Sequence, residues 1–316
     1  MNNVPKLAIV IPCYNEDLII DKTVFELCRY MSEIVDRKIV STDSYIVFVD
    51  DGSQDETWKK IKAANQKYEN VRGFKLSKNQ GHQIALWAGM IKVKDDCDCV
   101  ISLDADLQQD INAIEKFIEK YKNGVEVVYG VRNDRSTDGK FKKYSATLFY
   151  KLMSVMGVDI IKNHADYRLL SNRANLALLE YKEVNLFLRG MVNLIGFETD
   201  TVYFDVKIRE AGESKYTLTK MLGFALEGIT SFSVVPLRMI SFLGGLSFIG
   251  SFVMTIYILL VYLFSSAAVP GWASTVLPIY FIGGIQIFSI GIVGEYVGKI
   301  YTETKHRPKY FIREEL

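Results

Sequence analysis

The sequence has no charge in one long stretch: between Met239 and Gly294 there is no Asp, Glu, Lys or Arg. A helix that crosses the hydrocarbon core of a bilayer needs about 20 apolar residues, so two such helices and a turn fit here. We place the spans at residues 239–264 and 276–297, with Pro270 in the turn between them. The sequence therefore predicts a transmembrane helical hairpin, and a hairpin buried in a soluble protein is the alternative.

The sequence also lacks a signal peptide, because residues 1–8 do not show the charged-then-apolar pattern of one. Basic residues are missing from the predicted turn but flank the spans: Arg238 before the first, and Lys299, Lys305, Arg307, Lys309 and Arg313 after the second. Since basic residues favour the cytoplasmic side, we expect both termini and the large domain to be cytoplasmic.

Cysteines are few, and Cys13, Cys28, Cys97 and Cys99 show neither C-x-x-C spacing nor a matching His pair. The spacing therefore suggests neither a zinc site nor a disulfide framework, and we expect reduced, mostly buried thiols. The net charge of +1 does not indicate a class of binding partner, but its distribution is uneven. Five basic residues cluster in one short segment: Arg132, Arg135, Lys140, Lys142 and Lys143. In a chain with membrane spans, a phosphate-bearing lipid fits this cluster better than nucleic acid, which is not a predicted partner. A solvated basic loop is the alternative.

Strand-like apolar runs alternate with helical patterns in the first third of the chain, at residues 7–11, 17–35, 45–49, 53–68, 71–76, 83–93 and 99–103. Ser53 and Glu56 have the spacing of a capping box at the start of the second helix. This alternation predicts an α/β domain with a parallel sheet that is covered on both faces. Ligands of such sheets bind beyond the carboxyl ends of the strands. Polar clusters follow all four predicted strands, at residues 12–16, 50–53, 79–82 and 104–108.

Two of these clusters carry carboxylates that suit a binding site. Asp104, Asp106 and Gln108 alternate just past a strand and can project to the same side, where hard oxygen ligands favour Mg²⁺ or Mn²⁺. A solvated acidic turn is the alternative. Asp50 and Asp51 precede a glycine at a strand end, where a carboxylate can accept hydrogen bonds from ribose hydroxyls. A plain acidic helix N-terminus is the alternative there.

Three motifs, in order, resemble those of family 2 glycosyltransferases with the GT-A fold: P-x-Y-N-E at residues 12–16, D-D-G-S-x-D-x-T at 50–57 and D-A-D-L-Q at 104–108. Four more narrow the resemblance to the polyprenyl-phosphate glycosyltransferases: N-Q-G-H at 79–82, D-Y-R-L at 166–169, R-E-A-G-E-S-K-Y at 209–216 and G-E-Y-V-G-K-I-Y at 294–301. One departure is Ile111, where relatives usually carry proline. The resemblance implies a Rossmann-like, mostly parallel GT-A sheet domain with interfacial helices and a C-terminal transmembrane hairpin.

The resemblance also implies roles for particular residues. The nucleotide sugar would be held by Pro12, Tyr14, Asn15, Glu16, Asp50, Asp51 and Asp104. Mg²⁺ or Mn²⁺ would be held by Asp104, Asp106 and Gln108. The lipid phosphate would be held by Arg132, Lys143 and Ser145, with Lys142 an alternative to Lys143. Asp104, Asp106, Asp166 and Arg168 would be catalytic, with Asp166 orienting the acceptor or sugar hydroxyls, or acting as a base. Neither His82 nor His164 is assigned to the metal.

The activity implied is an inverting, metal-dependent hexosyltransferase that moves a sugar from a nucleotide sugar to polyprenyl (undecaprenyl) phosphate for cell-envelope glycan modification. UDP-glucose is the first donor to test, and UDP-N-acetylglucosamine, UDP-galactose and GDP-mannose stay open. One alternative is a processive polysaccharide synthase, although its Q-x-x-R-W motif is missing from the sequence. A non-catalytic membrane subunit that senses a nucleotide sugar is the other.

The predicted organisation is a cytoplasmic GT-A catalytic domain at residues 1–212, an interfacial amphipathic region at 213–235, two transmembrane helices at 236–298 and a cytoplasmic tail at 299–316. In the amphipathic region apolar residues recur at helical spacing, which also fits a core-facing helix: Leu218, Leu222, Ala225, Leu226 and Ile229. The chain is thus expected to be an integral membrane protein. The resemblance suggests a homo-oligomer, with a tetramer as one form, and small residues such as Gly244 and Gly283 permit close helix packing.

Overall fold

The computed structural model describes residues 4–133, 164–184, 186–205, 233–264 and 272–316. The chain divides into two units. The first comprises Met1–Tyr150, Asp159–Thr217 and Arg307–Leu316, and the second comprises Lys151–Val158 and Leu218–His306.

The first unit is built on one sheet, and its described strands are β1 (Leu7–Cys13), β2 (Tyr45–Asp50), β3 (Val71–Leu76), β4 (Cys99–Ser102), β5 (Val127–Arg132), β6 (His164–Ser171), β7 (Thr199–Phe204) and β8 (Ile312–Glu315). Its described helices are α1 (Ile20–Asp36), α2 (Thr57–Lys67), α3 (His82–Val93), α4 (Ala113–Lys122), α5 (Asn172–Leu179) and α6 (Leu188–Leu194). The strand order is β7-β5-β6-β4-β1-β2-β3-β8. Four of its seven pairings are parallel, so the predicted mostly parallel α/β sheet is confirmed.

The central strands are buried on both faces. Every residue of β1 is buried, and successive side chains of a strand point to opposite faces. Ile9 and Ile11 share one apolar cluster with Leu27 of α1. On the other face α3 packs so closely that a Cβ added to Gly89 would lie 2.2 Å from Val10 Cγ1. Helices therefore cover both faces, which explains the continuous apolar runs.

The register of β1, β2 and β3 places their carboxyl ends side by side at one edge of the sheet. Cys13 at the end of β1 pairs with Asp50 at the end of β2, and Asp50 pairs with Lys75 of β3. β6 runs antiparallel to β4, with Arg168 opposite Ser102. β6 therefore begins at the edge where β4 ends, next to the acidic motif.

The C-terminal residues form the edge strand β8, where the sequence predicted only a tail. β8 pairs antiparallel with β3, with Glu315 opposite Phe74. The ladder is extended by hydrogen bonds from the N–H of Ser77 to the carbonyl of Phe311 at 2.9 Å and from the N–H of Leu316 to that of Gly73 at 2.9 Å. The tail thus covers the open edge of β3, a strand edge that would otherwise expose unpaired backbone groups.

The second unit contains two long helices, α7 (Val235–Phe264, 30 residues) and α8 (Trp272–Thr304, 33 residues). Both predicted apolar segments fall within them. No helix in the described parts of the chain meets the length and apolarity required to cross a membrane. The transmembrane hairpin therefore stays a prediction. Residues 213–232 of the predicted amphipathic region lie outside the described residues.

All four cysteines are buried and free, as predicted. Burial raises the pKa of the Cys28 thiol to about 11 and that of Cys97 to about 12. The thiols are therefore protonated at neutral pH and behave as small apolar side chains.

Candidate active site

The loops that follow β1 and β2 are locked together. The N–H of Asn15 donates to Ser53 Oγ at 3.0 Å, and Asn15 Oδ1 accepts from the N–H of Gln54 at 3.0 Å. The N–H of Glu16 donates to Thr57 Oγ1 at 2.9 Å. Asn15 has φ 52°, a left-handed conformation that asparagine adopts more readily than most residues. The first two predicted polar clusters are therefore held together by hydrogen bonds. They form one wall of the candidate site, a crevice beyond the carboxyl ends of the strands.

The capping box predicted for Ser53 and Glu56 is wrong. Helix α2 begins at Thr57, and its N-cap residue, Glu56, makes no side-chain capping hydrogen bond. The hydroxyl of Ser53 accepts instead from Asn15. The local spacing fits the box, but a contact with a distant loop takes the hydroxyl.

The two acidic residues at the end of β2, Asp50 and Asp51, contact β3 and the loop that follows it. Asp50 is fully buried, and its Oδ2 lies 3.2 Å from Lys75 Nζ. Asp51 accepts from the N–H of Gln80 at 2.7 Å and from that of Gly81 at 2.8 Å. Burial raises the pKa of Asp51, and these two hydrogen bonds oppose the shift. Asp51 thus joins the loop after β3 to the loop after β2.

Gly52 makes this close approach of the two loops possible. Its φ is +70°, in the left-handed region that favours glycine. A Cβ at this position would lie 2.6 Å from the carbonyl carbon of Lys78 and 2.7 Å from the backbone nitrogen of Asn79. Any side chain at Gly52 would push the third loop away.

The acidic motif at residues 104–108 begins just beyond the end of β4. Asp104, Asp106 and Gln108 are partly exposed, whereas Ala105 is buried. The N–H of Gln108 donates to Asp106 Oδ1 at 3.2 Å. Leu107 has φ 49°, which is uncommon for a residue other than glycine and marks strain in this turn.

The oxygens of Asp104 and Asp106 fit a hard divalent cation. Gln109, which is buried, donates its amide to Asp104 Oδ2 and fixes that carboxylate. Among the described residues no three His, Cys, Asp or Glu side chains are grouped to hold a metal. Two carboxylates are sufficient for Mg²⁺, which often takes its remaining ligands from water and from substrate phosphates.

Asp166 lies between two arginines. Its Oδ1 accepts from Arg168 at 2.8 Å, and Arg189 binds both carboxylate oxygens, at 3.1 and 2.9 Å. Burial alone would raise the pKa of Asp166, but the charges of Arg189 and Arg168 outweigh it, so this pKa lies well below its usual range. Arg168 itself is fully buried and also donates to the carbonyl of Leu188 at 3.2 Å. Its direct contacts are therefore with the protein.

His82 lies close to both Asp104 and Asp166, and the sequence analysis assigned it no role. Its Nε2 lies 3.8 Å from Asp104 Oδ1 and 3.7 Å from Asp166 Oδ2. Its position in the polar cluster after β3 was the feature of the sequence that could have indicated a role at the site. Arg189, in contrast, lies in no motif, so nothing in the sequence singled it out.

The remaining predicted site residues are only partly described. Pro12 is buried in β1 and Tyr14 is 37% exposed beyond it. Arg132 ends β5 and is partly exposed. Lys142, Lys143 and Ser145 lie outside the described residues, as does the side chain of His164.

The sequence around this site matches a known family. Residues 8–176 match the family model described as glycosyl transferase family 2. This match covers more than half of the chain, from β1 to α5, and includes the interlocked loops and the acidic motif. The chain belongs to glycosyltransferase family 2.

Similarity to individual relatives extends over the whole chain. The uncharacterised glycosyltransferase YkoT of Bacillus subtilis is 48% identical over 98% of this chain and 91% of its own. The bactoprenol glucosyl transferase of Shigella phage SfV is 37% identical over 98% of this chain and 99% of its own. The prophage bactoprenol glucosyl transferase homolog of Escherichia coli is 36% identical over 98% of both chains.

Proposed function

We propose that this protein transfers glucose from UDP-glucose to a polyprenyl phosphate, with inversion, to give a polyprenyl-phosphate sugar for cell-envelope glycan modification. The observation that carries the proposal is the full-length similarity to bactoprenol glucosyl transferases, which includes the C-terminal helices as well as the catalytic unit. The crevice adds the chemistry that this reaction needs, namely accessible carboxylates beside a cluster of arginines.

The reaction needs alignment of two anions more than it needs a base. A phosphate monoester has a second pKa of about 6, so the acceptor is largely dianionic at neutral pH. One of its oxygens forms the bond to the anomeric carbon while the bond from that carbon to the diphosphate breaks, and UDP leaves with the electron pair. The low pKa of Asp166 makes its carboxylate a poor base, which supports an orienting role.

We assign the divalent cation, Mg²⁺ or Mn²⁺, to Asp104, Asp106 and Gln108. When bound, such a cation stabilises the negative charge that gathers on the departing diphosphate. The exposed sides of these three residues support the assignment, and Gln109 keeps the Asp104 carboxylate in one orientation.

We assign the nucleotide to the wall formed by the first two loops, with Pro12, Tyr14, Asn15, Glu16, Asp50 and Asp51. The hydrogen bonds between Asn15 and the loop after β2 support this assignment, because a preformed wall lowers the entropy cost of binding. The acceptor phosphate is assigned to Arg132, Lys143 and Ser145, where a cluster of basic residues in the sequence supports it.

We further propose that α7 and α8 anchor the enzyme in the membrane that contains its lipid substrate. The charge-free stretch from Met239 to Gly294 supports this proposal, because both helices lie largely within it. Basic residues on both sides of the stretch support cytoplasmic termini. Protease protection of tagged termini in sealed vesicles is the direct test of this topology.

The test of the proposed function uses purified full-length protein, radiolabelled UDP-glucose, Mn²⁺ and undecaprenyl phosphate, with extraction of the labelled lipid. We expect labelled lipid from the wild type and almost none from Asp106→Asn. Asp95→Asn is the matched control, because Asp95 is exposed and precedes β4 at its other end. If the lipid is labelled only with another nucleotide sugar, that nucleotide sugar is the donor in place of UDP-glucose. If no nucleotide sugar labels the lipid, the proposed function is overturned. Equal activity in Asp106→Asn would overturn the metal assignment.

A further inference from the structure

We propose that Gln109 is a positioning residue for the divalent cation: it holds Oδ2 of Asp104 and thereby presents Oδ1 of the same carboxylate to the metal. The inference deepens the proposed function and rests on the metal assignment made there. Gln109 directly follows the acidic motif at residues 104–108, and the sequence analysis assigned it no role. It acts through Asp104 and does not itself touch the cation.

Gln109 and Asp104 differ sharply in accessibility. Gln109 is 2% exposed, whereas the side chain of Asp104 is 37% exposed. Gln109 Nε2 donates a hydrogen bond to Asp104 Oδ2, and Asp104 Oδ1 lies 3.8 Å from Nε2 of the partly exposed His82. One carboxylate oxygen is therefore held from the protein interior, and the other lies near the accessible side of the loop. A cation with octahedral geometry, such as Mg²⁺, needs only one oxygen from a carboxylate that binds it.

The amide of Gln109 is only half satisfied by the fold. Its Oε1 is buried and has no hydrogen-bond partner within the residues that the structure describes. A buried acceptor without a partner costs about 1–3 kcal/mol. Turning the amide round would place Oε1 against the carboxylate of Asp104, and neither oxygen can donate. An apolar side chain of similar size would avoid this cost, so stability alone does not account for an amide here. Local costs of this kind are expected at functional positions.

The backbone on both sides of Gln109 is held by other bonds. Thr23 Oγ1, on α1, donates to the carbonyl of Ala105 at 2.6 Å, and the Tyr167 hydroxyl donates to the carbonyl of Asp110 at 3.0 Å. Both donor residues are buried. Loss of the Gln109 amide should therefore release the carboxylate without unfolding the turn. A released carboxylate loses rotamer freedom when it binds a cation, so the affinity for the cation falls.

The experiment compares wild type, Gln109→Met and Gln109→Leu in full-length protein. Methionine has nearly the length of glutamine but no hydrogen-bond donor. Asn175→Leu is the matched control: Asn175 is fully buried, its Oδ1 also lacks a partner, and its amide donates to the carbonyl of Met90 at 3.1 Å instead of to the acidic motif. The readouts are the Kd of Mn²⁺ by calorimetry, with and without UDP, the Mn²⁺ concentration that gives half-maximal lipid labelling, and thermal melting.

We expect Gln109→Met to raise the Kd of Mn²⁺ by about tenfold or more, because partners behind a metal ligand typically contribute that much to affinity. Its melting temperature should stay at or above that of wild type, and high Mn²⁺ should restore its lipid labelling. Asn175→Leu should show the reverse, a lower melting temperature and an unchanged Kd. A Kd within about twofold of wild type in both Gln109 variants overturns the inference. So does a loss of affinity that only accompanies a loss of stability, since that indicates a structural role.

A crystal structure of the wild type with Mn²⁺ tests the geometry without any variant. We expect the cation on Asp104 Oδ1, with Gln109 still bound to Oδ2. A cation that displaces Gln109 from Oδ2 overturns the inference. A wild type that binds no Mn²⁺ overturns it together with the metal assignment. A wild type that binds Mn²⁺ but makes no sugar lipid with any donor overturns the proposed function, and the Mn²⁺ affinities of the variants still decide the role of Gln109.

Discussion

The indole Nε1 of Trp58 donates a hydrogen bond to Glu314 Oε2 at 3.0 Å, although 256 residues separate the two in the chain. Trp58 lies on α2 and Glu314 on the edge strand β8. Lys62 also pairs with Glu314, and Lys92 pairs with Glu315 at 2.5 Å. The end of the chain is therefore attached to the catalytic unit by side chains as well as by the backbone ladder.

Deletion of residues 312–316 should destabilise the catalytic unit by about 1–3 kcal/mol, because several hydrogen bonds of about 0.5–1.5 kcal/mol each are lost. The edge of β3 would also be exposed, and β3 leads directly into the loop of His82. Thermal melting of the purified protein measures the effect. Glu314→Gln keeps the strand and should shift melting less, so equal shifts for both changes would argue against a role of the ladder.

Gly52→Ala should reduce kcat/KM by about a hundredfold, since its Cβ would displace the loop that carries Gln80, Gly81 and His82. The left-handed backbone adds a stability cost of about 1–2 kcal/mol. Gly124→Ala is the control: Gly124 has φ 97° but no atom within 4 Å of an added Cβ. It should lose stability and keep activity. Similar activities of the two variants would refute the proposed packing role of Gly52.

Asp166→Asn should lower the free energy of unfolding by about 3–5 kcal/mol, because it leaves two arginine charges without their shared partner in a buried site. Asp200→Asn should cost less than about 1 kcal/mol, since the ion pair of Asp200 with Lys120 is largely exposed. Denaturant titration of both variants provides the comparison. Equal losses would show that the arginine cluster contributes no more than a surface pair.

The pH dependence of activity should reflect the acceptor phosphate and not Asp166. Because the pKa of Asp166 is lowered, its contribution to stability is fully present above its ordinary pKa of about 3.9 and is lost only in stronger acid. Activity should rise through about pH 6, where the phosphate monoester becomes dianionic. A phosphonate analogue of the acceptor, which has a higher second pKa, should move this rise to higher pH. An unchanged profile with the analogue would assign the rise to a group on the protein.

The sequence was sufficient for the strands and helices of the first third of the chain and for the four loops at their ends. These elements depend on local patterns: buried parallel strands read as apolar runs, and polar residues gather where the strands end. Asp104, Asp106 and Gln108 are all partly exposed, and their projection to one side stays a prediction from their alternate spacing.

The contacts that depend on distant parts of the chain were not predictable from local patterns. β6 is inserted antiparallel beside β4, and this brings Asp166 within reach of His82 and Arg189. Short polar segments such as β8 carry little strand signal, so its pairing was missed. The error at Ser53 has the same origin, because its hydroxyl binds a residue 38 positions away.

The most direct test of the account is an NMR determination of the anomeric configuration of the lipid product that the purified protein makes from UDP-glucose. Because the sugar of the donor is α-linked, inversion predicts a β-glucosyl phosphodiester of the polyprenol, and its yield should collapse in Asp106→Asn. An α-linked product, or an equal yield from Asp106→Asn, would contradict the account.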